Sequence, residues 1–188
     1  MPVTLRAATV RDVPAMGRII NDAAEFGLML PKSLAALYEN VREFQVAVDD
    51  DDAVVGCSGL SIVWANLAEL ASLAVDPDYR GQGLGKRLVQ ACLEEAAALG
   101  IRRVMTLTYE QAFFEKLGFA VVDRLNLPHK VWAECVRCPK HDACDEIAMM
   151  RTLEHVPEPT VVPEPPGAAA ASYAVPVTLS ATRKPPAG

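Results

Sequence analysis

The apolar and polar positions of the chain fall into blocks of two kinds. Runs repeating every second residue predict strands, and runs repeating every third and fourth residue predict helices. Residues 3–8 read as a first strand. Thr9 follows as a helix N-cap, with Asp12 in a capping-box position and Val13, Met16, Ile20 and Ala23 at helical spacing. Gly27 and Pro31 break that helix, and Ser33 caps a short second one carrying Leu34, Leu37 and Val41. Residues 44–48 and 53–64 read as strands joined by an acidic turn, the longer one bulged near Gly56 or Gly59. Residues 67–75 form the next strand and run into a glycine-rich loop. An amphipathic helix follows, with Leu84, Leu88, Ala91, Glu95 and Leu99 at helical spacing and Gly100 as its C-cap. A strand at 103–109, a short helix at 111–116 closed by Gly118, and a strand at 119–125 complete the pattern. This order predicts one mixed α/β sheet flanked by helices.

Composition narrows the class. With 188 residues, 51% hydrophobic and 22% charged, the chain has enough material for one real core. We place the domain at residues 1–152. Residues 153–188 form a separate tail, because Pro157, Pro159, Pro163, Pro165, Pro166, Pro176, Pro185 and Pro186 interrupt any helix and residues 168–171 are all alanine. The net charge of −6 argues against nucleic acid as a main partner. No run approaches the ~20 apolar residues that span a bilayer, so no membrane partner is expected. Pro2, Thr4 and Arg6 interrupt the N-terminus before any secretory apolar core, and the five cysteines are too uneven for a disulfide framework. Both features predict a cytoplasmic protein. A homodimer is left open.

The stretch around which the chain is organised is Asp76-Pro77-Asp78-Tyr79-Arg80-Gly81-Gln82-Gly83-Leu84-Gly85-Lys86-Arg87. It lies where a strand ends and a helix begins. The first-turn N–H groups of a helix lack intrahelical partners, and the helix dipole adds positive charge there. Glycines allow close approach of backbone to ligand, so the junction predicts an anion site suited to a pyrophosphate. The spacing is neither the dinucleotide fingerprint nor the Walker loop.

It reads Arg-x-x-Gly-x-Gly, from Arg80 through Gly83 to Gly85, and resembles the acetyl-CoA pyrophosphate loop of the GNAT N-acetyltransferases. That resemblance implies the GNAT fold: a mixed, mostly antiparallel sheet, splayed at the acetyl-CoA site and flanked by helices. It makes acetyl-CoA the co-substrate, with no metal expected. Arg80 and the backbone N–H groups of Gln82, Gly83, Leu84, Gly85, Lys86 and Arg87 would then bind pyrophosphate. The backbone around Leu73 and Val75 would pair with the pantetheine arm. Glu69 stands on the same strand, as a general base or as an acid on a solvated face. In Phe113-Phe114-Glu115-Lys116-Leu117-Gly118-Phe119, Phe114 occupies the position where the family often has a Tyr that protonates the leaving thiolate. Phe114 is expected as core and as pantetheine wall, with solvent protonating the thiolate.

Leu30-Pro31-Lys32-Ser33-Leu34, the two phenylalanines and the block at residues 127–140 resemble amino-acid N-acetyltransferases, and most closely short single-domain N-acetylglutamate synthases. This implies acetyl transfer to the α-amine of L-glutamate, or also L-glutamine. Lys32 and Ser33 become candidates for the α-carboxylate; Lys130 and Arg137 for the other carboxylate or its amide; each cation is otherwise a surface charge. Cys135, Cys138, His141 and Cys144 carry zinc-type ligands, but their gaps are short for a structural site, and reduced thiols are the simpler account. Two other readings stand beside the synthase: a protein or peptide N-acetyltransferase on the same fold, and a non-catalytic acetyl-CoA-binding sensor.

Overall fold

The computed structural model describes residues 2–123, 127 and 145–159. Strand β1 (Thr4–Ala7) leads to helix α1 (Val13–Glu25), whose buried stripe is Val13, Met16, Ile19, Ile20 and Ala23. The helix begins after Asp12 instead of Thr9. The expected capping box closes in one direction only. The Asp12 carboxylate accepts the Thr9 N–H at 2.7 Å, but the Thr9 hydroxyl turns to the same carboxylate at 2.9 Å. Arg6 explains this: its guanidinium grips Asp12 in a fork, at 2.7 and 2.9 Å, and tethers the helix start to β1.

Helix α2 (Leu34–Glu39) is capped by Ser33, whose Oγ accepts the Ala36 N–H at 3.2 Å. One 3-10 turn, Val41–Glu43, then feeds β2 (Phe44–Val48). β3 (Val54–Trp64), β4 (Leu67–Val75), α3 (Leu84–Ala98), β5 (Arg103–Thr108), α4 (Gln111–Glu115), β6 (Ala120–Val121) and β7 (Ile147–Thr152) follow. The sheet has seven strands in the order β1-β2-β3-β4-β5-β7-β6. Every neighbouring pair is antiparallel except β4 with β5. This is the mixed, mostly antiparallel sheet that the sequence implies.

Helices cover both faces. Under α1 and α2, Met16, Ile20 and Leu37 pack with Phe44, Val46, Cys57 and Ala74. Under α3 and α4, Val89, Cys92, Leu93 and Phe114 pack with Leu60, Leu70, Val104 and Met149. The irregularities fall near Gly56 and near Gly59, where the sequence places a bulge. One lies beside Gly56, where Val55 is the extra residue of β3. Near Gly59 the extra residue sits on β4 instead: Ser72 and Leu73 together oppose Ser58. Ser72 takes a left-handed φ of 54° there, which non-glycine residues seldom adopt.

Two further differences concern the chain's second half. Among the described residues, β6 covers only Ala120 and Val121 of the strand expected over 119–125. β7 carries no alternation to read, because both of its faces are packed: Ile147 and Met149 join the cluster under α3, and Ala148 and Met150 join Val63, Leu67 and Met105 on the other face. Packing also runs past the expected boundary at residue 152. Leu153 and Val156 are buried, and Arg102 donates to the Val156 carbonyl at 2.5 Å and to Glu154 at 2.7 Å.

The Arg6–Asp12 fork generates a test. The hydrogen bonds from Arg6 pull the Asp12 carboxyl from its ordinary 3.8 to about 2, against the opposing effect of burial. A depressed folded pKa gives stability that is complete above the unfolded value and is lost as pH falls through about 2. Asp12→Asn is expected to cost about 1–2 kcal/mol in urea unfolding at pH 7, discounted for the part-exposed Arg6. The gap to the parent protein closes toward pH 2. An equal gap at both pH values would refute the assignment.

Candidate active site

The site is built where the one parallel pair comes apart. β4 and β5 share only three rungs, Leu67–Arg103, Ala68–Val104 and Glu69–Met105. Beyond Met105, β5 continues against β7, while β4 continues against β3. Among the described residues, the β5-facing edge of β4 from Leu70 onward has no strand partner. Unpaired backbone N–H and C=O groups on such an edge are a template for an extended ligand. Leu73 and Val75 lie on this stretch, half-buried against the α3 side of the core. The Ser72 bulge falls in its middle, where the Cys57 thiol donates to the Ser72 carbonyl at 3.9 Å. Glu69 occupies the last shared rung, at the apex of the opening.

The glycine loop closes the outer end. Asp76 caps a 3-10 turn, Pro77–Tyr79, by accepting the Asp78 N–H at 3.1 Å. Arg80 then folds back, its Nε donating to the Val75 carbonyl at 3.1 Å. Gly81 and Gly83 both take left-handed φ values, 76° and 77°, with open space where a Cβ would stand. The first helical bond of α3 runs from the Arg87 N–H to the Gly83 carbonyl. The N–H groups of Leu84, Gly85 and Lys86 therefore precede the ladder and face the loop end of the helix. Gly85 lies within that first turn, beneath the Phe113 ring.

The side chains refine the expectation. Leu84 is core, packed with Ala47, Val55 and Leu88, so only its backbone is available at the loop. Gln82 turns toward the Asp78 carbonyl at 3.4 Å. Arg87 donates to the Val3 carbonyl at 2.7 Å, and with Lys86 it borders a hollow of about 480 Å³ against Leu5 and Gln45. These two cations thus stand on the β1–β2 side of the helix start. Phe114 is only 4% exposed and makes edge-to-face contacts with Phe113 and Phe119, at 5.1 and 5.2 Å. Its place is the core; Phe113 is the ring that faces the glycine loop.

The acidic turn before β3 is more than a solvated tip. Asp49 accepts the Tyr79 hydroxyl at 3.0 Å as well as the N–H groups of Asp51 and Ala53, and Asp52 pairs with Arg6 at 3.2 Å. The Ala53 N–H foremost holds the Asp49 carboxyl below its ordinary range, while the bond to Asp49 raises the Tyr79 phenol. The turn braces the glycine loop from outside.

On the other face, the α1–α2 connection carries Lys32 and Ser33. Asn21 clamps the Lys32 backbone, accepting its N–H at 2.9 Å and donating to its carbonyl at 3.0 Å. Ser33 spends one lone pair on the helix cap and keeps its own proton to donate. Around them Phe26, Leu28, Leu30, Leu34 and Tyr38 are exposed, Phe26 by 80%. Glu69 and its cross-strand neighbour Ser61 share this face of the sheet, by alternation from Ala71 and Gly59, which faces the Phe44 ring. The Ser61 hydroxyl donates to Glu43 at 2.5 Å.

Lys130 and Arg137 lie outside the described residues, as do Cys135, Cys138, His141, Cys144 and the chain from residue 160. Among the described residues no group of His, Cys, Asp and Glu could hold a metal ion, and no helix is long and apolar enough to cross a membrane. Sequence reasoning missed Asn21, Gly81, Ser72 and the Glu43–Ser61 pair. Gly81 had a signal, since it adjoins Arg80 in the loop, but the Arg-x-x-Gly-x-Gly spacing passes over it. Nothing local marks the other three; they matter through partners distant in sequence.

Comparison with known proteins agrees with this geometry. The profile of the acetyltransferase (GNAT) family matches residues 17–119. An uncharacterised N-acetyltransferase of Chlorobaculum tepidum is 37% identical over 149 residues, which are 79% of this chain and 96% of that one. An amino-acid acetyltransferase of Mycobacterium tuberculosis is 38% identical over 138 residues, 72% of this chain and 78% of that one. Among solved structures, N-acetylglutamate synthase from Neisseria gonorrhoeae, complexed with coenzyme A and N-acetyl-glutamate, superposes with a TM-score of 0.73 at 26% identity. That match covers 81% of this chain but 35% of the larger synthase. The splayed sheet, the left-handed glycine loop and these relatives lead to one conclusion: the chain is an N-acetyltransferase and belongs to the acetyltransferase (GNAT) family.

Proposed function

We propose that the protein transfers the acetyl group of acetyl-CoA to the α-amine of L-glutamate, with L-glutamine as a second acceptor, the first step of arginine biosynthesis. The observation that carries this reading is the parting of β4 and β5 at Glu69, beside the left-handed glycines that open α3. The amino-acid acetyltransferase of Mycobacterium tuberculosis supports the acceptor class, and the N-acetyl-glutamate bound by the Neisseria synthase supports glutamate.

The residues present suit acetyl-CoA. A bent, diphosphate-bearing ligand needs backbone donors at one end and an extended edge at the other, and the chain offers both in sequence. N–H groups from Gln82 to Lys86 face the diphosphate, with Arg80 beside them; the Arg87 N–H, expected among them, is spent on the Gly83 carbonyl. The strand edge at Leu73 and Val75 pairs with the pantetheine amides, sharing the Val75 carbonyl with Arg80 Nε. The thioester supplies an activated acyl carbon. This chain's tasks are then to orient the amine, remove its proton and shelter the oxyanion. Glu69, at the apex, accepts the amine proton, directly or through one water. Lys32 and Ser33 hold the α-carboxylate from the α1–α2 connection, and the Asn21 clamp fixes the backbone of that anchor. Lys rather than Arg gives a point charge without a bidentate fork. Lys130 and Arg137 remain the candidates for the distal carboxylate or amide. With Phe114 in the core, solvent protonates the departing thiolate.

Thiol release from acetyl-CoA across the twenty amino acids tests the reaction. Turnover is expected with glutamate, or with glutamate and glutamine; turnover on peptides alone would overturn the reading. Gly83→Val is expected to raise KM for acetyl-CoA about tenfold, since a left-handed φ costs a branched side chain roughly 1–2 kcal/mol. Gly100→Val, at φ 75° on the far end of α3, strains the chain similarly and serves as the control, lowering Tm without moving that KM. Lys32→Ala is expected to raise KM for glutamate about tenfold, the scale of one lost charge-assisted hydrogen bond, with KM for acetyl-CoA unchanged. An unchanged KM for glutamate removes Lys32 as an anchor.

A further inference from the structure

We propose that Ser61 and Glu43 form the exit path for the proton that leaves the acceptor amine, with Glu69 as its first member. The proposal rests on the acyl transfer described above. Its own basis is a contact that the reaction scheme does not use. Ser61 donates its hydroxyl proton to Glu43 Oε2 at 2.5 Å, and Ser61 stands directly across β3 and β4 from Glu69. Facing residues of an antiparallel pair hold their Cβ atoms about 4.5–5.5 Å apart, within reach of a glutamyl carboxyl and a hydroxyl. All three residues are half-buried. Glu43 ends the 3-10 turn that follows α2, on the acceptor face of the sheet.

The chemistry needs such a path. The amine arrives as an ammonium ion and must give up a proton before it can attack. A carboxylate that keeps that proton is not ready for the next turnover. A hydroxyl donates and accepts at once, so it can pass a proton without changing charge. In the first step an N–H bond of the ammonium breaks and an O–H bond forms on Glu69. In the second, that proton moves to Ser61 Oγ while the Ser61 proton moves to Glu43 Oε2. Glu69 is again a carboxylate, Ser61 again a hydroxyl, and Glu43 releases the proton to water. Ser61 and Glu43 touch neither the amine nor the thioester and act only through Glu69.

The experiment measures steady-state turnover of glutamate by the full-length protein at fixed pH, with increasing concentrations of imidazole buffer. Ser61→Ala and Glu43→Gln are each expected to lower kcat about tenfold, at the low end of general-base effects, with KM for acetyl-CoA unchanged. In both variants kcat should climb with imidazole concentration, and Ser61→Thr should retain most of the parent rate. A contact that merely ties β3 to the 3-10 turn would lower Tm and give no rescue by buffer. Glu43→Gln, at a half-buried position, keeps the test available if Ser61→Ala fails to fold. A full kcat in Ser61→Ala and Glu43→Gln, or a loss that imidazole does not restore, overturns the path alone if Glu69→Gln is inactive. An unimpaired Glu69→Gln enzyme overturns the base assignment and the path with it.

Discussion

The structure depends on one strand having to do two things. β4 must stay hydrogen-bonded to β3 along its length, yet leave β5 after three rungs. A parallel pair cannot be joined by a tight hairpin; it needs a crossover, and here the crossover is α3. Eight residues, 76–83, separate β4 from α3, and the chain must reverse within them. Left-handed φ at Gly81 and Gly83 makes that reversal possible without a steric penalty. The open strand edge and the uncapped helix start therefore arise from the same topological demand.

An opening of this kind is useful only if it holds its shape. Glycine loses more backbone freedom on ordering than any other residue, so a glycine loop has to be held from outside. Three contacts do this from different directions. Arg80 binds back to the end of β4, Tyr79 reaches the turn before β3, and Arg87 reaches the backbone ahead of β1. Two of these partners are backbone carbonyls, which cannot rotate away. A loop ordered before its ligand arrives spares the ligand that entropy cost.

How much of this could be read beforehand follows from the range of the interactions. The early strands were legible because each is an apolar run bounded by turn residues, even where both faces are covered, as in β3 from Val54 to Leu60. The glycine loop was legible because its chemistry sits in consecutive residues. β7 was not, since a strand packed on both faces loses the period that identifies it. Ser33 shows a partial reading: the residue that caps α2 is also the one that the family resemblance brings to the acceptor site, and one hydroxyl can serve both. Phe114 was legible as core: the position that lines up with a family's tyrosine packs between the rings of Phe113 and Phe119. The Glu43–Ser61 contact spans two elements, and only the strand register reveals that Glu69 stands opposite.

The place of β7 also governs the order in which the molecule can be assembled. It lies between β5 and β6, although both precede it in the chain. While the chain is being synthesised, β5 waits with one long edge bare, and β6 has no described partner at all. Closure of the sheet, and the latch of Arg102 onto Glu154 and Val156, come last. Nascent protein truncated before residue 147 would hold the glycine loop and the apex acid on a half-finished sheet. An exposed edge of that length invites pairing between chains. β7, the last strand among the described residues, covers that edge over all six residues of β5.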